Sequence, residues 1–295
     1  MKRIFLLTAI YLLSFSLIQA QEESPYFLIS KSTESVAEGI AKAKSALSES
    51  GFKIIGEYHP EQSENLAVVC YTHPKLEEIA LGFSDRGALA SALKIGLKKE
   101  GETLHISMIN PMYLFYAYFI DGVDKQEDVL RSISNEAIAA MQTVGTMKEP
   151  FGGTLDKKKL QKYHYKMMMP YFTDAEELKS FDSFNDGLKT IRQNLEAGAG
   201  ETQKVYELVY PDKEVAVWGV GLKNAEDGEA HFLPIIGNDH VAAMPYEIIL
   251  QGNTASILPG KYRIALHWPE LTMGTFMKIM STPGDIKKTM EKLTE

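Results

Sequence analysis

The chain has 295 residues, with 31 basic and 39 acidic side chains, a net charge of −8 and a single cysteine. This length allows two domains that each bury a core, and 24% charged with 10% aromatic residues is typical of a folded protein. The negative charge argues against a nucleic-acid-binding protein, because such proteins neutralise phosphates with lysine and arginine. One cysteine excludes an internal disulfide and a thiolate zinc site.

The first twenty residues have the pattern of a secretory signal peptide. Lys2 and Arg3 precede an uncharged and mostly apolar run over residues 4–18, and Ala20 is a small residue before the chain becomes polar. An uncleaved membrane anchor is the alternative, but this run is shorter than the roughly twenty residues that span a bilayer. We therefore expect a periplasmic or secreted protein with no stable membrane anchor after cleavage.

The rest of the chain contains two successive series of similar elements. Each series includes an amphipathic helix whose apolar residues are spaced 4-3-4. These residues are Val36, Ile40, Ala43 and Leu47 in the first helix and Phe184, Leu188, Ile191 and Leu195 in the second. Two strand-like segments follow each helix, at 52–58 and 66–71 and at 205–210 and 215–222.

A later pair of segments predicts one more strand in each series. Apolar residues alternate over 104–109 before Pro111, and they alternate in the same phase over 262–267 before Pro269. The constant offset of 158 residues would place the same face of both strands inward.

These matches predict an α+β fold of two tandem β-α-β4-α repeats, each a mainly antiparallel curved sheet with two helices on one face. The opening strands are expected at 26–30 and 163–172, and the final helices at 124–142 and 284–294. The predicted organisation is a signal peptide at 1–20, a first repeat at 25–142, a linker at 143–162 and a second repeat at 163–295.

Several short segments, none of them specific alone, occur in a recognisable order. They are Gly51-Phe52-Lys53-Ile54-Ile55, Thr72-His73-Pro74, Lys98-Lys99-Glu100-Gly101 and Ile109-Asn110-Pro111, with fainter counterparts at 243–250 and His267-Trp268-Pro269. In this order they resemble the domain-of-unknown-function-302 family, in two tandem divergent copies. The resemblance implies a fold of the TATA-binding-protein type and no established activity. Members often carry cysteines where this chain has Thr72 and Leu93, so no thiol or metal function is carried over.

The sequence lacks the common motifs of catalytic and metal sites, including GxSxG, HExxH, the Walker loop and the EF-hand loop. We therefore predict no catalytic residue, no cofactor and no metal. His164 with Met167, Met168 and Met169 allows two interpretations. Imidazole and thioethers suit a soft copper ion, whereas methionines also fill irregular cores. Core packing is the favoured interpretation, because methionines are dispersed through the chain.

Residues 112–120 carry too many large rings for all of them to be hidden in a surface element. They either pack the two halves together or contact a partner or an apolar ligand. We predict ligand-binding residues at Tyr113 and Tyr116 in this segment, and at Tyr246, His267 and Trp268 in the second half.

These observations favour a non-catalytic exported binding module for a small apolar molecule or a partner protein. One alternative is a hydrolase-like enzyme with a convergent site, in which His240 beside Asp239, or His267, would act as acid or base. Another alternative is a structural accessory whose partner is an envelope protein. A pocket or exposed apolar patch beside the aromatic residues would favour ligand binding.

Overall fold

The computed structural model describes residues 22–295. The predicted signal peptide therefore lies outside the described residues. Within 22–295, no helix is long and apolar enough to cross a membrane.

The first half forms one antiparallel sheet with helices between its strands. In chain order its elements are β1 (Glu22–Glu23), β2 (Tyr26–Ser32), α1 (Val36–Glu49), β3 (Lys53–Tyr58), β4 (Leu66–Thr72), α2 (Pro74–Ala80), β5 (Leu93–Glu100), β6 (Thr103–Ile109), α3 (Pro111–Tyr118) and α4 (Glu127–Met141). The strand order is β3-β4-β5-β6-β2. Helix α1 begins at the predicted capping box, in which the Ser35 side chain accepts from the Glu38 amide and the Glu38 carboxylate from the Ser35 amide.

The connecting segment contains β7 (Glu149–Phe151), β8 (Leu155–Asp156) and α5 (Lys157–Leu160). The second half then repeats the sequence of elements of the first half. Its elements are β9 (Glu176–Ser180), α6 (Phe184–Glu196), β10 (Thr202–Tyr210), β11 (Val215–Leu222), α7 (Glu229–Ile236), β12 (Tyr246–Gln251), β13 (Thr254–Ile257), α8 (Gly260–His267), α9 (Met273–Phe276) and α10 (Thr282–Glu291). The order of the second sheet, β10-β11-β12-β13-β9, corresponds strand for strand to that of the first.

The predicted fold class is confirmed: the protein is α+β, and the strand pairs in both main sheets are antiparallel. The structure differs from the expected β-α-β4-α order by one helix inside each run of four strands, α2 and α7, and by another, α3 and α8, before the final helix. The two halves share the order of elements that is expected of tandem repeats.

Two strand predictions were wrong. Residues 262–266 belong to helix α8, and residues 163–172 contain no strand, since the opening strand of the second half is β9. The offset of 158 therefore paired a strand with a helix. The element that follows β6 in the first half is α3, and its structural counterpart is α8, at an offset of 149 residues.

Residues 143–162 do more than connect the halves. Strand β7 pairs with β2 and adds a sixth strand to the first sheet. Strand β8 pairs with β1, and α5 contacts α3. The predicted linker thus covers part of the first half.

The halves meet through equivalent elements on both sides of the interface. The hydroxyl of Tyr113 on α3 donates to the carbonyl of Leu266 on α8 at 2.7 Å, and Tyr262 on α8 donates to the carbonyl of Ala117 on α3 at 3.3 Å. These two bonds are related by the same 149-residue offset. The edge strands β3 and β10 also meet, and Gly56 is required there because a Cβ would lie 2.2 Å from the Val205 carbonyl oxygen.

Candidate functional site

The two aromatic residues predicted in segment 112–120 are buried on α3, and Tyr113 lies at the interface between the halves. Tyr113 is fully buried and bonded to α8. Tyr116 is also buried; its hydroxyl donates to the Glu127 carboxylate and accepts from the Arg131 guanidinium at 2.8 Å. The ammonium of Lys157 lies 5.0 Å from the centre of the Tyr116 ring. Segment 112–120 therefore packs the halves together, which is one of the two alternatives that the sequence left open.

Two of the three predicted residues in the second half lie close to this interface. Tyr246 is buried, and the Arg263 guanidinium carbon lies 3.8 Å from the centre of its ring. His267 is buried with its Nδ1 3.2 Å from the Tyr26 hydroxyl. Burial, together with nearby cations, holds the pKa of His267 well below its usual value.

A buried ion cluster joins the halves beside these aromatic residues. Lys94 on β5 pairs with Glu247 on β12, and Arg263 on α8 donates to the other oxygen of the same carboxylate at 3.1 Å. Arg263 also donates to the carbonyl oxygens of Ala243 and Pro245, at 2.5 and 2.6 Å. The cluster contains two cations and one anion, and it is closed to solvent.

A second buried carboxylate, that of Glu229 on α7, accepts hydrogen bonds from both halves. Its donors are the Tyr58 hydroxyl at 3.0 Å, the Leu222 amide at 3.1 Å and the Glu61 amide at 3.3 Å. Burial raises the pKa of Glu229 to about 7, although these donors act in the opposite direction. This carboxyl group therefore changes its charge near neutral pH inside the interface.

The acid and base candidates of the hydrolase alternative are engaged in packing and ion pairing. Asp239 accepts from the Lys98 ammonium at 2.9 Å. The ring of His240 packs on Tyr26 and Trp268, with centroid separations of 4.9 and 5.6 Å. Burial lowers the pKa of His240 to about 4, which is below the range of an efficient general base at neutral pH. Among residues 22–295, no group of three or more His, Cys, Asp or Glu side chains could hold a metal ion.

Trp268 is the one predicted ligand-binding residue that lines the apolar pocket of the second half. The pocket has a volume of about 210 Å³. One wall is a single face of α8, formed by Lys261, Ile264 and Ala265 with Trp268 at the end of the helix. These positions are spaced i, i+3, i+4 and i+7, as expected for one helix face. The indole nitrogen of Trp268 donates to the Gly237 carbonyl at 3.2 Å, which fixes the ring.

The other two walls come from loop 165–169 and segment 271–276. Tyr165, Met167 and Met169 line the first of these walls, and Met273 and Phe276 line the second. A bond from the Met169 amide to the Lys166 carbonyl closes a turn in the loop. The pocket is thus formed by loop 165–169 and the continuous stretch 261–276.

The rim of this pocket is an exposed methionine surface. Met167 is 86% exposed and Met273 48% exposed, and both line the pocket. Met277 and Met280 extend the surface, at 57% and 59% exposure. The prediction that the methionines after His164 pack the core was therefore wrong for Met167 and for Met168, which is 96% exposed. The turn places the Met167 side chain on the outside, where an unbranched thioether can adapt to different apolar partners.

Two lysines flank the pocket, and no carboxylate lies among its lining residues. Within residues 22–295, neither the Lys166 nor the Lys261 ammonium has an acidic side chain within 4 Å. The Lys166 ammonium lies 5.2 Å from the centre of the Tyr165 ring. The electrostatic environment of the pocket is therefore positive on a protein of net negative charge.

The pocket residues other than Trp268 were missed from the sequence. The expected strands at 163–172 and 262–267 placed their side chains on two faces of a sheet. The i, i+3, i+4, i+7 spacing over 261–268 was the available signal for a helix face.

Comparisons with known proteins give a likeness to a solved structure over part of this chain. No family profile matches the sequence, and no curated protein matches it. A solved structure described as an uncharacterized conserved protein DUF302 from Bacillus stearothermophilus is similar over 40% of this chain and 95% of its own length. The identity is 13% and the TM-score is 0.34.

Proposed function

We propose that this protein is an exported, non-catalytic binding protein whose ligand is a small apolar molecule held in the pocket beside Trp268. We further propose that its halves are two divergent copies of a domain of the DUF302 type, and that it acts in the periplasm or outside the cell. The apolar pocket is the observation that carries the binding proposal.

The size and lining of the pocket support a small-molecule ligand. Its volume of about 210 Å³ exceeds the roughly 150 Å³ of an apolar cavity that binds benzene. A fixed aromatic wall, Trp268, faces mobile thioethers at the rim, and this arrangement lets one pocket close over an apolar ligand. A ligand bound there would cover side chains that now expose apolar surface to water, which is the driving force for binding.

Isothermal titration calorimetry with the neutral probe 1-octanol tests this proposal, because a chain of this length matches the pocket volume of about 210 Å³. The purified protein is expected to bind the probe. The variant Met167→Gln/Met273→Gln should bind it about tenfold more weakly, since each substitution replaces an apolar thioether and methyl group with a polar amide that the ligand would have to desolvate. Both side chains are substantially exposed, so the fold should tolerate the change.

Met280→Gln is the matched control, because Met280 is exposed on the same surface but lies outside the pocket lining. Its affinity for the probe should equal that of the unmodified protein. No probe binding, or an equal loss in the control and pocket variants, would overturn the proposal.

A further inference from the structure

We infer that the ligand of this pocket is a free anionic amphiphile, a short aliphatic chain that ends in a carboxylate. This inference rests on the proposed function and specifies the chemical class of the ligand. Its basis is that two lysines line an otherwise apolar pocket and that neither is ion-paired within residues 22–295.

The charged residues that line the pocket are all of one sign. The chain carries 39 acidic and 31 basic residues, yet the charged residues that line this pocket are Lys166 and Lys261 and include no acid. An anionic head would neutralise the two free ammonium groups when its tail enters the pocket.

The positions of the two lysines suit one head group. Lys261 lies in the first turn of α8, one turn before Ile264 and Ala265, and it lines the pocket with them. Lys166 lies on the opposite wall, in the loop that also provides Met167. A carboxylate at the mouth would lie between the two walls, with its tail directed toward Trp268.

The volume limits the length of the tail. A pocket of about 210 Å³ takes a chain of about eight carbons, by comparison with the six carbons of benzene in a cavity of roughly 150 Å³. Each methylene that enters the pocket should tighten binding about fourfold. We therefore expect affinity to rise from hexanoate to octanoate and to level off beyond decanoate.

Isothermal titration calorimetry with octanoate and its neutral analogue 1-octanol tests the inference. Octanoate should bind about tenfold more tightly at low salt, because two partly exposed ion pairs contribute modestly. In Lys166→Gln/Lys261→Gln the ratio of the octanoate affinity to the 1-octanol affinity should fall to about one, because the charge that favours the carboxylate is gone. Lys278→Gln, an exposed lysine outside the pocket lining, is the control and should keep the preference.

The outcomes separate this inference from the proposed function. Equal binding of octanoate and 1-octanol, or a preference that survives in the double variant, overturns the inference and leaves the apolar pocket supported. Binding of neither compound overturns both. Cosedimentation with phosphatidylglycerol vesicles without binding of free octanoate would overturn the inference in favour of a membrane surface.

Discussion

The ion cluster of Lys94, Glu247 and Arg263 gives the sharpest stability prediction. All three residues are nearly closed to water, with exposures of 3%, 6% and 2%. Glu247→Gln removes the anion and leaves two buried cations uncompensated. Removing one partner of a buried ion pair costs roughly 3–5 kcal/mol. We therefore expect this substitution to lower the free energy of unfolding by about 4 kcal/mol.

Lys94→Met in the same cluster should have a much smaller effect. It removes one of the two cations and leaves Glu247 paired with Arg263, so the remaining charges balance. An apolar side chain of similar length in place of a buried ion is often neutral. We expect a change below about 1.5 kcal/mol. The double variant Lys94→Met/Glu247→Gln retains one buried cation and should be more stable than Glu247→Gln alone.

Urea unfolding followed by far-ultraviolet circular dichroism measures these differences. Circular dichroism is preferred to tryptophan fluorescence, because both tryptophans, Trp218 and Trp268, lie in the second half. The charge-balance reasoning is refuted if Lys94→Met costs as much as Glu247→Gln, or if the double variant is the least stable of the three.

Three further predictions concern the interface between the halves. The pKa of Glu229 is raised from 4.5 to about 7, so the folded state binds more protons than the unfolded state between these values and stability should fall as pH rises from 4.5 to 7. Glu229→Gln should abolish this loss of about 3 kcal/mol. Urea unfolding of the variant and of the unmodified protein at pH 5 and pH 8 measures the difference. The same change in stability between the two pH values in both proteins would contradict this prediction. Gly56→Ala places a methyl group 2.2 Å from the Val205 carbonyl oxygen and should cost roughly 1–3 kcal/mol in a thermal melt. Gly284→Ala, which meets no atom within 4 Å in a helix, should be neutral or slightly stabilising by comparison. Tyr113→Phe leaves a buried carbonyl of α8 without its donor and should cost about 1–3 kcal/mol in urea unfolding, whereas an unchanged midpoint would show that this bond contributes nothing.

The sequence predicted those elements that present one apolar face to a core. Helices α1 and α6 were found because their buried residues repeat every three or four positions while the opposite face is polar. The capping box at Ser35 was found because it depends on two side chains three residues apart. Such local patterns can be read from a single sequence because they involve residues that are close together in the chain.

Helix α8 was mistaken for a strand because it is buried on every side. Tyr262, Ile264 and Leu266 are buried, and so are the alternating polar residues Arg263 and His267, which bond to partners in the interface. Polar and apolar residues therefore alternate along the chain, although both are inside. When polar groups are buried with their partners, the apolar residues of a helix no longer repeat every three or four positions. Such a helix can then be recognised only from its long-range contacts.

Most of the predicted ligand residues carry large aromatic rings, and in the structure these rings, except that of Trp268, are buried rather than lining the pocket. Tyr113, Tyr116, Tyr246 and His267 are buried among polar partners between or beside the halves. The pocket instead depends on where loop 165–169 and segment 271–276 lie against α8, which no local pattern specifies.

A comparison of α3 with α8 explains why the pocket occurs in the second half. At the offset of 149, Tyr116 on α3 corresponds to Ala265 on α8. In the first half the Tyr116 ring packs beneath the Lys157 ammonium, and Phe119, which corresponds to Trp268, stacks on Phe83 at 4.3 Å. In the second half Ala265 has only a methyl group at the position of the Tyr116 ring, and it forms part of the pocket wall.

Ala265→Tyr should therefore fill the pocket with the ring that the first half already carries at this position. We expect 1-octanol binding to fall at least tenfold, because the ring takes much of a volume of about 210 Å³. The circular dichroism spectrum should stay unchanged, since one side of Ala265 faces the pocket. Unaltered probe affinity in a folded Ala265→Tyr variant would place the ligand elsewhere, and would mean that the difference between the halves at this position does not create the binding site.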